Sequence, residues 1–494
     1  MTNAVMGVDI GTSSSKGVLV DFDGVVLATA VRQHTVPRPQ PGWVEMDAEV
    51  WWTEFTAIST ELLTMSDATV VAVGVSGMGP CVAVTDAVGS PLRPAILYGV
   101  DTRAISQIDR LTSQLGEKEI LDRCGSTLST QSAGPKLAWL AENEPEVFAR
   151  AKRFFMPASW LVWQLTGSYV LDHESASQCT PLYDTVENQW YKPWVDLIAP
   201  ELELPDLVWA DDVVGTVTGE AAALTGLPRG IPVIAGSIDA WTEAVSVGAQ
   251  KPGDLMLMYG TTMFLISTLS ERISVPGLWG TAGVFKGTRN LAGGMATSGA
   301  ITGWLRDLFG APDYPVLVKE AAVSGPGAHG LLMLPYFAGE RTPIMDPDAR
   351  GVFAGLTLSH TRGDIYRSAL EATAFGVRHN VEAIQGAGAV VERIVAVGGG
   401  TQGSLWTQIV TDVLGIAQVI PSVTIGASYG AAFLAARSLA DVSIDTWNPV
   451  AEVLYPDPSL RQTYDELYHL YCELYPATRD ISHALAAREK GLTG

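Results

Sequence analysis

Short apolar runs broken by small polar turns open the chain. Residues 5–10 are apolar and β-prone, Gly11-Thr12-Ser13-Ser14-Ser15 reads as a turn, and residues 16–21 read as a returning strand. Asp23-Gly24 then turns the chain into a third strand over residues 25–30. Over residues 47–65 the period changes, with Trp51, Trp52, Phe55, Ile58, Leu62 and Leu63 recurring at helical spacing. Residues 70–75 form a continuous apolar run of the fully buried type, ending in Ser76-Gly77-Met78-Gly79-Pro80. Three strands, a helix, a strand and then alternation predict an α/β fold.

A comparable plan returns later. Residues 254–259 read as a strand, Gly260-Thr261-Thr262 as a turn and residues 263–267 as the return strand, while residues 393–397 run into Gly398-Gly399-Gly400. Each half thus holds a strand–Gly-Thr–strand hairpin and, later, an apolar strand ending in glycines, a weak repeat without sequence identity. Two similar α/β domains are expected, meeting near residues 245–250: an N-terminal domain over 1–246 and a C-terminal domain over 247–494. A cleft between them is the default ligand site.

Composition narrows the classes. The 494 residues are 47% hydrophobic and 17% charged, enough for two to four cores, and the 50 glycines follow no collagen period. A formal net charge of −22 opposes nucleic-acid phosphate and anionic membrane surfaces, so neither is expected as a partner. Any bound phosphate must then be held by local backbone N–H groups, a metal or a few placed cations. The four cysteines, Cys81, Cys124, Cys179 and Cys472, are too scattered for a zinc site and read as unpaired thiols in a reducing compartment. The first residues hold no basic stretch or long apolar run, and no segment reaches the ~20 apolar residues of a membrane span, so a cytoplasmic protein is expected.

Candidate chemistry sits in the glycine-rich turns. Asp9 stands at a strand end before Gly11, Thr12 and Ser13, where small residues let backbone N–H groups approach phosphate, and Asp9 could hold the accompanying Mg²⁺. Gly260, Thr261 and Thr262 offer the same chemistry from the other half, and ordinary hairpin turns remain the alternative for both. Gly399 and Gly400 clear side chains from a strand end, as a bound flat group or phosphate requires, although a loop needing positive φ would look the same. Neither a G-x-G-x-x-G nor a Walker sequence is present. Residues 231–238 deliver Asp239 to the start of a helix-like run over 240–247, either as its N-cap or as a base for proton abstraction, two roles that are compatible.

These residues resemble the FGGY carbohydrate kinases over nearly the whole chain. Gly351-Val352-Phe353-Ala354-Gly355-Leu356, seven residues, and Asp364-Ile365-Tyr366-Arg367-Ser368-Ala369-Leu370-Glu371 fit that family's C-terminal pattern position for position. Leu334-Pro335-Tyr336-Phe337-Ala338-Gly339-Glu340-Arg341-Thr342-Pro343 looks like its P-Y-x-x-G-E-R-T-P loop. Lys136-Leu137-Ala138-Trp139-Leu140-Ala141-Glu142-Asn143 matches most of the N-terminal pattern, with Ala133 where Pro, Ser or Thr is usual. Gly42-Trp43-Val44-Glu45-Met46-Asp47 with Trp51-Trp52, and Leu165-Thr166-Gly167, are further pieces. The resemblance implies two actin-like, ribonuclease H-like domains closing over ATP and a small sugar. Gly11–Ser13 would then be the first phosphate loop, with Mg²⁺ at Asp9, and Gly260–Thr262 the second. Gly399 and Gly400, with Gln402 and Ser404, would lie by the adenosine, and Asp239, in a G-x-x-D context, would be the catalytic base.

The sugar is less well marked. Related xylulose kinases show Met-His-Gly where this chain has Met78-Gly79-Pro80, and the Gln-Arg-Glu of glycerol kinases is absent too. A Trp-x-Asp-x-Arg element stands here as Tyr98-Gly99-Val100-Asp101-Thr102-Arg103, one residue longer. Met78, Gly79, Asp101 and Arg103 are candidates for sugar contact, Asp101 and Arg103 otherwise forming a surface ion pair at a helix start. The expected reaction is in-line phosphoryl transfer to a ketopentose such as D-xylulose. Gluconate, erythritol or glycerol are alternative substrates, and a sugar-independent actin- or chaperone-like ATPase, or a sugar-binding regulator without catalysis, are rivals from other classes. The oligomeric state stays open, a homodimer included.

Overall fold

The computed structural model describes residues 2–493 and divides into two compact units. The first comprises Met1–Lys251, Ser270–Asn290 and Ile425–Pro449; the second comprises Pro252–Leu269, Leu291–Thr424 and Val450–Gly494. Two stretches beyond residue 247 therefore fold with the first unit, which a boundary drawn along the sequence does not convey.

In the first unit, β1 (Asn3–Ile10), β2 (Ser14–Asp21) and β3 (Val26–Gln33) form an antiparallel meander. Helix α1 (Ala48–Met65) follows, with Asp47 as its N-cap accepting the Glu49 N–H at 3.0 Å. Strand β4 (Thr69–Gly77) pairs parallel with β1, and β5 (Val213–Thr216) and β6 (Pro232–Ile234) extend the sheet to the order β5-β6-β4-β1-β2-β3. Seven of the eight β1 residues are buried because both sheet faces are covered. One face takes α1: a Cβ at Gly17 would stand 2.2 Å from Ile58 Cγ2. The other takes the helix Ala427–Arg437, whose backbone comes so close that a Cβ at Gly7 would meet Ser428 O at 2.0 Å and one at Gly74 would meet Ala431 O at 1.9 Å. Side chains there would hold the layers apart.

The second unit repeats the central motif. Strands β7 (Asp254–Tyr259) and β8 (Met263–Leu269) form an antiparallel hairpin, and β7 pairs parallel with a strand from much later in the chain. That partner, β10 (Arg393–Val397), lies inside the order β9-β8-β7-β10-β11-β12, in which β9 is Arg289–Gly294, β11 Gln418–Pro421 and β12 Val450–Leu454. The hairpin-plus-parallel-strand plan of β1-β2-β4 is thus the plan of β7-β8-β10, as the weak sequence repeat foretold.

Four helices complete the parts of this unit that matter for a site. They are α4 (Gly299–Leu308), α5 (Tyr314–Ser324), α6 (Arg362–Gly386) and α7 (Ser404–Leu414), α2 (Pro157–Thr166) and α3 (Asp239–Ser246) being helices of the first unit. All four cysteines are free and three of them are buried, in line with unpaired thiols. No helix of the described residues is long and apolar enough to cross a membrane.

Candidate active site

Strand register assembles the carboxylate end of the first unit. On β1, Asp9 lies opposite Ser76 of β4, and the short strand Ser237–Ile238 pairs with β4 so that Ser237 also faces Ser76. Parallel strands in register end together, so Asp9, the Ser76–Gly79 turn and Asp239 are delivered to one edge. The Met78 N–H donates to Ile10 O at 2.8 Å and ties two of these ends.

The turn after β1 is closed by Gly11 N–H donating to Ser14 O at 3.1 Å. From beneath, His34 Nε2 donates to Gly11 O at 3.1 Å and the His34 backbone N–H donates to Ser13 O at 3.1 Å. Thr12 Oγ1 and the Tyr98 hydroxyl are 2.8 Å apart. The turn is held by His34, which the sequence did not single out, and by Tyr98, which the sequence offered only as part of the element around Asp101 and Arg103.

Asp239 is the first residue of α3, and the N-cap position falls to Ile238. The cap reading of the sequence is corrected by one residue: the Asp239 side chain takes only the Ala240 N–H, at 2.8 Å. Burial pushes its carboxyl up to about 6, against the pull of that N–H. Glu243 stands one turn further on the same helix and is pushed up to about 7 by burial and by the charge of Asp239, Lys16 pulling it back. Asp9 is raised well above the carboxylate range by burial first, then by Asp239 and Glu243, with Ser76 and Lys16 opposing. Asp9 Oδ1 is buried and has no hydrogen-bond partner in the structure. Glu243 and Lys16 were not picked out in the sequence; the i, i+4 spacing from Asp239 was the one available signal for Glu243.

The residues expected to touch sugar divide. Met78 is buried, and a Cβ on Gly79 would stand 2.6 Å from Ile238 Cγ1, so the Ile238 side chain fills the space a residue at 79 would use. Asp101 and Arg103 are an ion pair, but buried rather than at the surface: both side chains have no exposed area. Arg103 donates through Nη2 to Asp101 Oδ2 at 2.8 Å and through Nη1 to Glu45 Oε1 at 2.7 Å. Its guanidinium lies 4.0 Å from the centre of the Trp43 ring and 5.0 Å from that of Trp139. Asp101 Oδ2 also accepts the Val44 N–H at 2.6 Å. The pair is saturated by the protein.

The second unit offers a cavity of about 840 Å³, inside the usual range for a small-molecule site. Gly260, Thr261, Gly399, Gly400, Gln402 and Ser404 all line it, so the β7–β8 turn and the glycines after β10 are brought together as expected. Thr262 is not on this wall; its carbonyl closes the turn by accepting the Gly260 N–H at 3.1 Å. The turn carbonyls are in turn bound by the start of α4, Gly299 N–H to Gly260 O at 3.1 Å and Ala300 N–H to Thr261 O at 3.1 Å. Gly400 is required by packing: a Cβ there would lie 2.7 Å from Trp406 Cζ3 and 2.9 Å from Tyr259 Cβ. Those two rings meet edge-to-face at 5.4 Å, and Trp406 Nε1 donates to Thr373 Oγ1 at 2.9 Å. Among the described residues, no carboxylate, lysine, arginine or histidine lines the cavity.

The most distinctive motifs do scaffolding around this cavity. Asp364 and Thr361 form a capping box at the start of α6, with Thr361 N–H donating to Asp364 Oδ2 at 2.7 Å. Glu371 is buried, paired to Arg367 at 2.7 Å, and accepts the Gly327 N–H at 2.9 Å. Glu340 accepts the backbone N–H groups of Ala296 and Arg341 at 2.8 and 2.7 Å. Thr342 Oγ1 accepts the Gly294 N–H at 2.6 Å.

Comparison with known proteins bears on the family and the fold. The N-terminal domain of the FGGY family of carbohydrate kinases matches residues 4–246 and the C-terminal domain of that family matches residues 255–439. A xylulose kinase of Lactococcus lactis is 29% identical over 97% of this chain and 98% of its own length. A glycerol kinase of Nocardia farcinica is 32% identical over 88% of this chain and 90% of its own. Among solved structures, the xylulose kinase of Rhodospirillum rubrum superposes with a TM-score of 0.92 at 33% identity, covering 97% of this chain and all of that one. This likeness bears out the expected α/β fold of two actin-like, ribonuclease H-like domains, and rules in the enzyme reading over the non-catalytic ones. The chain belongs to the FGGY family of carbohydrate kinases.

Proposed function

We propose that the protein transfers the γ-phosphoryl group of ATP in line to a hydroxyl of a ketopentose such as D-xylulose, with Asp239 as the base. The observation that carries this is the delivery of Asp239, beside Asp9, to one sheet edge with only one N–H on its carboxylate. A carboxylate pushed up to about 6 is still ionised at pH 7 and is a better proton acceptor than a free aspartate. In this reading residues 1–246 carry the sugar and, through Gly11, Thr12 and Ser13, the first phosphate loop. Residues 247–494 carry the second loop and the adenosine, whose flat uncharged base suits the uncharged cavity beside Gly399, Gly400, Gln402 and Ser404.

The orphaned Asp9 Oδ1 fits a divalent cation, because a hard cation would be the positive partner that this buried oxygen lacks. Asp9 is the residue that would hold a Mg²⁺ accompanying the nucleotide. Bound there, Mg²⁺ would offset phosphate charge. Met78 and Gly79 are assigned to the sugar, while Asp101 and Arg103 shape its surroundings from the buried ion pair. Glycerol stays the second reading, carried by the glycerol kinase relative at 32% identity; erythritol is the third.

An ADP-release assay over ketopentoses, polyols and aldonic acids tests the proposal. The largest kcat/KM is expected for a ketopentose; a polyol in first place would transfer the assignment to glycerol or erythritol, and no response above the sugar-free rate would sink it.

A further inference from the structure

Directly behind Asp239 lies a buried group of three side chains that the proposed reaction does not use. Ser237 stands two residues before Asp239, with no exposed area, and its hydroxyl is shared by two carboxyl groups: Asp172 Oδ2 at 2.7 Å and Glu174 Oε2 at 3.1 Å. Asp172 is 3% exposed and Glu174 is fully buried. A serine hydroxyl has one proton and can donate only once. Two ionised carboxylates could not both be hydrogen-bonded to it, so one of the two contacts needs a carboxylic acid as its donor. The remaining partners say which. Asp172 caps the short helix His173–Ser177, its Oδ2 accepting the Ser175 N–H at 3.2 Å, so it acts as an acceptor. Glu174 Oε1 accepts Gln178 Nε2 at 2.6 Å, which leaves Oε2 as the hydroxyl oxygen of an acid.

We propose that Glu174 is protonated at neutral pH and that the row Glu174 Oε2–H, Ser237 Oγ–H, Asp172 Oδ2 is a positioning device for Asp239. It fixes the strand end that carries the base and leaves one negative charge behind it instead of two. The proposal rests on the reading of Asp239 as base. Burial, and then the charge of Asp172, raise Glu174 well above the carboxylate range, with Asp239 adding to the same direction. Asp172 is pushed up to about 6 by burial, with Ser175 and Ser237 pulling it down. The other titratable groups facing the pair are the Cys179 thiol and the Tyr183 phenol, both raised mainly by burial and further by the carboxyl charge. Lys136 acts on Cys179 and Arg289 on Tyr183, whereas no cation is among the main causes acting on either carboxyl. With no cation set against them, two full charges side by side would go uncompensated.

The test uses the full-length enzyme. Glu174→Gln copies the protonated acid, its amide donating to Ser237 Oγ and its carbonyl accepting from Gln178. Infrared difference spectra of wild type against Glu174→Gln at pH 7.5 should show the loss of one protonated-carboxyl band, and kcat should stay within about twofold. Glu174→Ala should lower kcat at least tenfold, rescued by Gln, with KM for ATP unchanged. Asp172→Asn removes the last charge and should move the acidic limb of the kcat/KM profile to lower pH. An unchanged carboxyl band in Glu174→Gln, or Gln as damaging as Ala, overturns the proposal. A result as expected here together with an active Asp239→Asn would count against the base and leave the proton row standing.

Discussion

The two glycine turns have the same backbone plan and opposite chemistry. The turn after β1 sits among Asp9, Asp239, Glu243 and Lys16, whereas the cavity beside the turn after β7 has, among the described residues, no acidic or basic side chain on its wall. The first can move a proton and attract a cation. The second can only shape, through Gly400 and the Tyr259–Trp406 pair, and hydrogen-bond through neutral groups. In a chain with a net charge of −22, anion binding cannot rest on the overall field. One fold plan is used twice, and the titratable side chains gather at one copy.

The sharpest test of that division is Asp239→Asn, expected to cut kcat on the order of 10³-fold, as loss of a general base does, with nucleotide affinity within twofold of wild type. Near-normal turnover from a folded Asp239→Asn enzyme would abolish the distinction. Next in size, Gly400→Val drives a side chain into Trp406 and Tyr259, and KM for ATP should rise at least tenfold while KM for sugar holds. Gly399→Ala is its companion: no atom lies within 4 Å of the added Cβ, so the empty protein should keep its Tm and any KM change reports the nucleotide itself. Equal effects of both substitutions on Tm would mean that the cavity wall is not set by Gly400.

Smaller effects follow from pH. Asp239 at about 6 predicts that kcat/KM falls below about pH 6 as the base takes up a proton, and a flat profile down to pH 4.5 would deny it. The stability effect has the opposite sense. Asp239 and Glu243 hold protons in the fold at a pH where the unfolded chain has released them, so their contribution is complete below about pH 4 and is lost as pH rises through about 6 to 7. Hydrogen exchange, corrected for intrinsic rates, should therefore show residues 237–246 opening more readily at pH 8 than at pH 5.5, and residues 254–269 changing less. A uniform response of both segments would erase the contrast.

What could be read from the sequence was local. The strands, the two turns and the strand-to-helix junction at Asp239 are contiguous patterns, and the helix at Ala48–Met65 announced itself by its period. Glu243, Lys16 and His34 were missed because their importance depends on register and on contacts made across dozens of residues. Asp101 and Arg103 were legible as a pair, but not as a buried one: Trp43, Glu45 and Trp139 cover them from three different segments. Gly79 was noticed for the histidine it lacks, and only the structure shows Ile238 in the space above it. The family stretches around Glu340 and Glu371 stood out most clearly while acting as caps and anchors, because holding backbone groups in a fixed geometry restricts sequence as tightly as chemistry does.

The helix Ala427–Arg437, seated against Gly7 and Gly74, sets a condition on how the chain is made. A ribosome that has released the first 250 residues has produced a sheet with one uncovered apolar face, and the element that covers it is still some 180 residues from synthesis. A sheet whose strands are made long before that helix is therefore among the last parts to be finished, and until then its exposed β1 and β4 are the surface a chaperone would meet.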